Sequence, residues 1–384
     1  MDLLIVTGQF RPLVGGAERQ AERLAEELAR RGHRPEIVTR RFEADHPAEE
    51  RQGGVLVRRL GFAARGTFRV RKIERATFAF RLWRELSLNP AGCPVLVQHL
   101  LYPALIAGLA FGRNRWPLIL RVSSTGATSD FRVWGVLAPL VHRFLKTRVS
   151  ALVALNEACR SEAVAAGYPT ERIVVIPNGV EVGPPREPRP ADRPLQVIYV
   201  GGLRSEKRVD VLLHAWKQSG VAGELSLVGD GPERGRLQRL ASSLGIVVSF
   251  TGNRDDPAPL QRAADVMVLP SDAEGMSNAL IEAMAAGCAC VATHVGGNVD
   301  CLAPGAPEPG PGEVHAGPFG WLVRRGDASA LAEALRRLAL DPATRDRLGR
   351  AARERACSEY ALPRVAGAYA ELARRILEER RIAT

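Results

Sequence analysis

Residues 183–194 read GPPREPRPADRP, five prolines in twelve positions, and no helix or strand survives that density of fixed φ and missing N–H groups. On both sides the chain repeats one pattern, a short apolar run followed by an amphipathic stretch. Before the prolines come LLIVT (3–7), PEIVT (35–39), PVLVQH (94–99), PLILRV (117–122), ALVAL (151–155) and IVVI (173–176). After them come QVIYVGG, LSLVGDG, VVSFTG, VMVLPS and CVATHVGG, each ending in small or polar residues. Apolar runs without alternation fit strands buried on both faces of a parallel sheet. Between the first two runs, Ala17, Ala21, Leu24, Ala25 and Leu28 recur at helical spacing, and the pattern stops at Gly32. Two such arrays predict an α/β chain of two doubly wound, Rossmann-like domains. The expected domains are 1–182 and 195–360, with 183–194 as linker and an Arg/Glu-rich helix in 361–384 packing back on the first domain.

Composition narrows the class. No apolar run approaches the ~20 residues of a membrane-spanning helix, and MDLLIVTGQF has no basic leader, so it reads as a first strand and not as a signal peptide. The six cysteines (93, 159, 288, 290, 301 and 357) form no CxxC pair. They are expected to be small buried thiols in a cytoplasmic protein, neither a zinc site nor a disulfide frame. Residues 1–185 carry 27 Lys/Arg against 17 Asp/Glu, whereas the remainder carries 26 against 25. Within the first part, residues 51–84 hold ten basic residues and one acid, Glu74. In 68–86, Ile73, Ala76, Thr77, Phe80 and Trp83 fall at helical spacing among Arg69, Arg71, Lys72, Arg75, Arg81 and Arg84. Such a basic amphipathic helix fits either an anionic membrane surface or a solvated face of a helix packed on its own sheet. Aromatics are only 5% and no helix-turn-helix, zinc-finger or RNP pattern occurs, so nucleic acid is not an expected partner.

In a doubly wound fold, ligands bind at the carboxyl ends of strands, so the loops after the apolar runs are where chemistry is sought. SDAEGMSNALIEAMAAG (271–287) follows VMVLPS and sets Glu274 eight positions before Glu282. Ser277 or Asn278 suits the N-cap of a helix that Gly287 ends. One glutamate then precedes the helix and the other lies inside it, with the helix start between them. The N–H groups of a helix start favour an anion such as a phosphate. A nucleotide diphosphate fits: Glu282 accepts from ribose hydroxyls and Glu274 faces whatever hangs from the far phosphate. The plainer reading is a capped helix with one exposed glutamate. In VGGLRSEKRVDVLL (200–213), Arg204, Lys207 and Arg208 stand ready to neutralise a diphosphate or simply form a solvated basic turn. Gly15 and Gly16 open the first helix and allow close approach of backbone to ligand. Neither GxGxxG nor GxxxxGK[ST] occurs, against a dinucleotide dehydrogenase or a P-loop NTPase. No DxD lies at a strand end, so no metal or other cofactor is expected.

GGAERQAERLAEELARRGHRPEIVT, IPNGV (176–180), GGLRSEKRVDVLL, LVGDGPE (227–233) and EGMSNALIEAMAAG resemble, in order and spacing, the retaining glycosyltransferases of family four. The resemblance spans most of the chain and implies the two-domain GT-B fold. It implies that Glu274 contacts the transferred sugar and Glu282 the ribose. The backbone of Gly275, Met276, Ser277 and Asn278 holds sugar and phosphates, as does that of Gly16, and Lys207 binds the pyrophosphate. It also implies front-face attack, in which the departing phosphate helps deprotonate the acceptor. The donor is expected to be a UDP- or GDP-sugar and the acceptor a saccharide or lipid-linked hydroxyl, in polysaccharide or glycolipid synthesis. The protein would then sit peripherally on the inner face of the cell membrane. Two positions depart from the family. Members usually carry Arg where this chain has Gly202, and Arg204 or Arg208 is the expected substitute. Many carry His after the strand equivalent to PLILRV, where this chain has Ser123 and Ser124; His99, at a neighbouring strand end, is the other acceptor-side candidate. The competing functions are a nucleotide-sugar epimerase or hydrolase of the same fold, and a non-catalytic nucleotide-sugar-binding protein.

Overall fold

A computed structural model describes residues 1–11, 15–43, 45–62, 68–90, 92–99, 102–111, 116–124, 129–186 and 193–383, with backbone only for 68–73 and 383. The middle of the proline-rich stretch (187–192), residues 63–67 of the basic patch and 125–128 of the RVSSTGATSD loop therefore lie outside the described residues. Two compact units emerge, one of Met1–Gly179 with Leu362–Thr384 and the other of Val180–Ala361.

The first unit holds β1 (Asp2–Val6), β2 (Arg34–Arg40), β3 (Glu49–Gln52), β4 (Val55–Leu60), β5 (Val95–Gln98), β6 (Leu118–Val122), β7 (Ala151–Ala154) and β8 (Ile173–Val175). They form one sheet in the order β3-β4-β2-β1-β5-β6-β7-β8. All neighbours are parallel except the β3–β4 hairpin. Strand order reverses between β1 and β5, and that switch point opens a crevice at the carboxyl ends. The helices of this unit are α1 (Gly16–Arg30), α2 (Phe68–Leu88), α3 (Tyr102–Ala110), α4 (Ala138–Lys146) and α5 (Glu157–Ala165).

The second unit holds β9 (Leu195–Val200), β10 (Gly223–Val228), β11 (Val248–Gly252), β12 (Val266–Leu269), β13 (Ala289–Thr293), β14 (Val314–Ala316) and β15 (Trp321–Val323). Their order is β11-β10-β9-β12-β13-β15-β14, so the switch point falls between β9 and β12. Its helices are α6 (Val209–Ser219), α7 (Arg234–Ser243), α8 (Ala258–Ala263), α9 (Asn278–Ala285), α10 (Gly296–Leu302), α11 (Ala328–Leu340) and α12 (Pro342–Arg355). The last helix, α13 (Leu362–Ala383), returns to the first unit. Its Tyr369, Leu372 and Ile376 are buried in one cluster with Leu3, Ile5, Leu24 and Leu28. Each such side chain contributes about 1.5–3 kcal/mol of burial, so α13 is part of that core.

Three expectations are sharpened or corrected. First, the start of the 51–84 basic patch belongs to the β3–β4 hairpin, and two of its three arginines are paired. Arg58 pairs with Glu36 and Glu85, and Arg59 pairs with Glu50 at 2.6 Å. Second, α2 buries Phe78, Leu82 and Leu86, while Phe80 and Trp83 are 63% and 44% exposed. The stripe of Ala76, Phe80 and Trp83 is thus the outer face of the helix. Third, Cys159, Cys288, Cys290 and Cys301 are buried as expected, but Cys357 is exposed and Cys93 half-buried; all six are free thiols. Cys357 falls in the irregular turn after α12, whose inward positions go to Ala356 and Tyr360. No described helix is long and apolar enough to cross a membrane.

Candidate active site

Of the sequence-predicted residues, Lys207 and Glu274 come together most tightly. Lys207 ends a 3-10 turn after β9, and Glu274 lies in the loop after β12, so both occupy the switch point of the second sheet. Lys207 Nζ donates to Glu274 Oε1 at 2.7 Å, and Ser271 Oγ donates to the same oxygen at 2.7 Å. Both recorded bonds use Oε1, which leaves Oε2 as the oxygen aimed at neither. Ser271 is fully buried, and Thr293 Oγ1 on β13 donates to its carbonyl. The glutamate is therefore held by the strand next door and not by its own loop alone.

Ser277 is the N-cap of α9, and its side chain accepts from Leu280 N at 3.3 Å. Gly287, at φ +79°, closes the helix in the left-handed conformation. Glu282 sits in the second turn of α9 and is half-buried. Glu274 and Glu282 thus straddle the positive end of α9, with Gly275, Met276, Ser277 and Asn278 between them. A ligand bridging the two carboxylates would lie along the helix start, where negative charge is stabilised.

The glycines of VGG and VGDG have a steric reason. A Cβ on Gly229 would stand 1.9 Å from the Gly201 carbonyl oxygen, and one on Gly231 would stand 2.3 Å from that of Leu203. The loops after β9 and β10 are therefore in backbone contact, which fixes the turn that carries Lys207. Gly202 is different: a Cβ there would meet nothing closer than Arg204 Nε at 3.7 Å. Arg204 lays its side chain over the space that Gly202 leaves, and it is exposed, with no ion pair recorded among the described residues. Arg208 is tied down. At φ +46° it reaches Asp210 and Asp272, and although burial disfavours its charge, those two carboxylates raise its pKa. Of the two expected substitutes, Arg204 is the one positioned at Gly202.

The first sheet carries its own cluster. His99 follows β5 at the β1/β5 switch point, and Ser123 and Ser124 follow β6, the next strand. The structure adds Asp130, which sequence reasoning missed. His99 Nδ1 lies 3.1 Å from Asp130 Oδ1 and 2.8 Å from Ser123 Oγ. Asp130 Oδ2 accepts from the backbone N–H of Ser123 at 2.7 Å and of Ser124 at 3.2 Å. Asp130 is only 3% exposed. Burial works against its charge, yet the hydrogen bond and charge of His99 and the two N–H donors hold its pKa below the ordinary carboxylate value. His99 itself adopts φ +67°, which costs a non-glycine residue about 1–3 kcal/mol and is found mainly at functional sites. Ser123 and Asp130 share one ring nitrogen, whereas a nucleophilic triad needs them on opposite nitrogens. This cluster is no serine-hydrolase relay.

Gly15 is the N-cap of α1, but its N–H donates to Glu18 Oε2 at 2.8 Å. One of the two donors expected to face a ligand is thus met by the chain's own carboxylate. Among the described residues, one trio of metal-ligating side chains comes together, Glu43, Asp45 and His46. It lies in the chain between β2 and β3, outside both clusters.

Two doubly wound units, each with polar side chains gathered at its switch point, define an α/β protein of the GT-B type. The sequence profile described as glycosyl transferases group 1 matches residues 194–341, and that of the glycosyl transferase 4-like domain matches 15–179. The chain belongs to this glycosyltransferase family. It is 30% identical over 177 residues to the N-acetyl-alpha-D-glucosaminyl L-malate synthase of Bacillus anthracis, covering 45% of this chain and 43% of the relative. It is 32% identical over 186 residues to the lipopolysaccharide core biosynthesis glycosyltransferase LpsE of Rhizobium meliloti, covering 48% and 50%. The alignments to these two relatives span half of each relative's length or less. Among solved structures, the Anabaena HepE protein in complex with UDP superposes with a TM-score of 0.75 at 19% identity, over 97% of this chain and 99% of that one.

Proposed function

We propose that the protein is a retaining glycosyltransferase that moves a hexose from a UDP- or GDP-sugar to a hydroxyl of a saccharide or lipid-linked acceptor, in polysaccharide or glycolipid synthesis. The observation that carries the reading is the Lys207–Glu274–Ser271 cluster beside the Ser277-capped start of α9. Lys207, Arg204 and the helix start supply positive charge for the diphosphate, and Gly202 leaves room beside Arg204. Glu282 takes ribose hydroxyls, and Glu274, freed from Lys207 when phosphate arrives, takes hydroxyls of the sugar. The UDP in the Anabaena structure supports the donor class.

The bond from the sugar's anomeric carbon to the phosphate oxygen breaks as the acceptor oxygen bonds on the same face. The acceptor's proton passes to the departing phosphate. Electrostatic stabilisation of that leaving group is the protein's main task, and side chains and helix dipole supply it without a metal ion. The test is product stereochemistry: with an α-linked UDP- or GDP-hexose and a saccharide panel, the proton NMR coupling of the new linkage should report an α product. A β product would refute retention. Free hexose with every acceptor would favour a hydrolase, and no turnover with any donor a binding protein.

We further propose that the first unit docks peripherally on the anionic inner face of the cell membrane, through the 51–84 region. Phe80 and Trp83 stack outward with ring centroids 6.2 Å apart beside exposed Arg75, Arg81 and Arg84. The same unit exposes Val133, Val136, Leu137 and Leu140 within an acid-free run from Phe131 to Asn156. Apolar side chains ringed by arginine suit a headgroup interface. Flotation with acidic liposomes at about 0.1 M salt should retain wild type and lose Trp83→Ser with Phe80→Ser. Wild type left at the bottom of the gradient would end the idea.

A further inference from the structure

His99, Ser123 and Asp130 form a cluster in which the position of one proton is decided by geometry. Asp130 is buried and presents Oδ1 to His99 Nδ1 at 3.1 Å, while its Oδ2 is occupied by the N–H groups of Ser123 and Ser124. A bare Nδ1 would set its lone pair against a carboxylate oxygen, so in the neutral ring the proton belongs on Nδ1 and is donated to Asp130 Oδ1. Nε2 is then the acceptor nitrogen. Its nearest recorded neighbour among the described residues is Ser123 Oγ at 3.5 Å, too long for a good hydrogen bond. The imidazole is partly exposed, at 23% of its side-chain surface, and stands at the carboxyl edge of the sheet on a backbone held at φ +67°.

We infer that Asp130 is a positioning residue that fixes His99 as the Nδ1–H tautomer, so that Nε2 receives a substrate hydroxyl. The hydroxyl belongs either to the acceptor or to the transferred sugar; both present the same O–H donor. Rotating the ring to offer Nδ1 instead would expose Nε2 to Asp130 and forfeit the Ser123 contact. The backbone strain at His99 and the burial of Asp130 both serve this one orientation. The inference rests on the proposed sugar transfer only for the identity of the hydroxyl, not for the tautomer.

The experiment is long-range proton–nitrogen NMR on the full chain labelled at its histidines, with the His99 signals assigned by their loss in His99→Gln. Wild type should show a protonated Nδ1 and a bare Nε2. Asp130→Asn, whose amide can donate to Nδ1, should move the proton to Nε2, whereas Ser123→Ala should leave it on Nδ1. UDP-glucose or GDP-mannose, whichever stabilises the protein, is then added, followed by methyl glucoside. A shift of Nε2 with the sugar nucleotide but not with the bare nucleotide assigns the donor-sugar hydroxyl. A shift only after methyl glucoside assigns the acceptor hydroxyl. A protonated Nε2 in wild type, no change in a folded Asp130→Asn protein, or an Nε2 signal blind to both additions would overturn the inference. If neither nucleotide stabilises the protein, the transfer reading fails while the tautomer result still decides the role of Asp130.

Discussion

Lys207, Ser271 and Glu274 gather at the β9/β12 switch point, and His99, Ser123 and Asp130 gather beside β1/β5, so each unit uses the same topological place. They differ in what they present. In the second unit a lysine and a carboxylate neutralise each other, and the neighbouring Arg204 is left without an ion pair among the described residues. In the first unit a buried carboxylate is spent on orienting an imidazole ring, and the outward group is its Nε2. That arrangement suits a hydroxyl. The difference teaches that one fold, wound twice, presents a cluster of charges at one switch point and an oriented imidazole beside the other, through the residues following adjacent parallel strands.

The comparison can be broken first on the charged side. Arg204→Ala should lower turnover roughly 10–100-fold, the worth of about 1.5–3 kcal/mol for a hydrogen-bonded charge on phosphate. Because Gly202 has room for a side chain, Gly202→Arg in that background should restore most of the loss. Nucleotide release by the single and double variants checks this. Equal activity of Arg204→Ala and wild type would remove Arg204 from the site.

A smaller effect sharpens the neutral side. Asp130 has a folded pKa below its unfolded value of about 3.9, so its stabilisation is fully present above that value and disappears as pH falls through the lowered folded one. Asp130→Asn should therefore melt below wild type at pH 7, by an amount equivalent to about 1–3 kcal/mol. The gap should close as the pH is lowered beneath 4. A gap that stays constant from pH 7 to pH 3 would mean that the carboxylate's charge does not stabilise the fold.

Legibility in the sequence followed distance along the chain. Glu274, Ser277 and Glu282 lie within one loop and one helix, so cap chemistry and helical rise translate their spacing into geometry, and the N-cap falls on Ser277, one of the two positions that reasoning offered. Asp130 lies 31 residues from His99 and meets it only because β5 and β6 pair in register. A single aspartate after TS gave no local signal. The face of α2 stayed open for another reason. Phe78, Leu82 and Leu86 and the rival stripe of Ala76, Phe80 and Trp83 are both apolar at helical period, and periodicity alone cannot say which faces in. Strands β3 and β4 hid because EERQ is a polar edge strand and VLVRRL mixes arginines into its alternation. The glycines of VGDG were visible, but their reason, the backbone of the neighbouring loop, was not.

The central claim is that the second unit binds a nucleotide diphosphate along the start of α9, between Glu274 and Glu282. A thermal-melting panel of UDP, GDP, ADP and their hexose conjugates, run on wild type and on Glu282→Ala, tests it most directly. The account predicts that one nucleotide raises the wild-type melting temperature, that its sugar conjugate does so too, and that Glu282→Ala, with its own melting unchanged, loses most of the rise. No rise with any nucleotide, or an undiminished rise in Glu282→Ala, would contradict it.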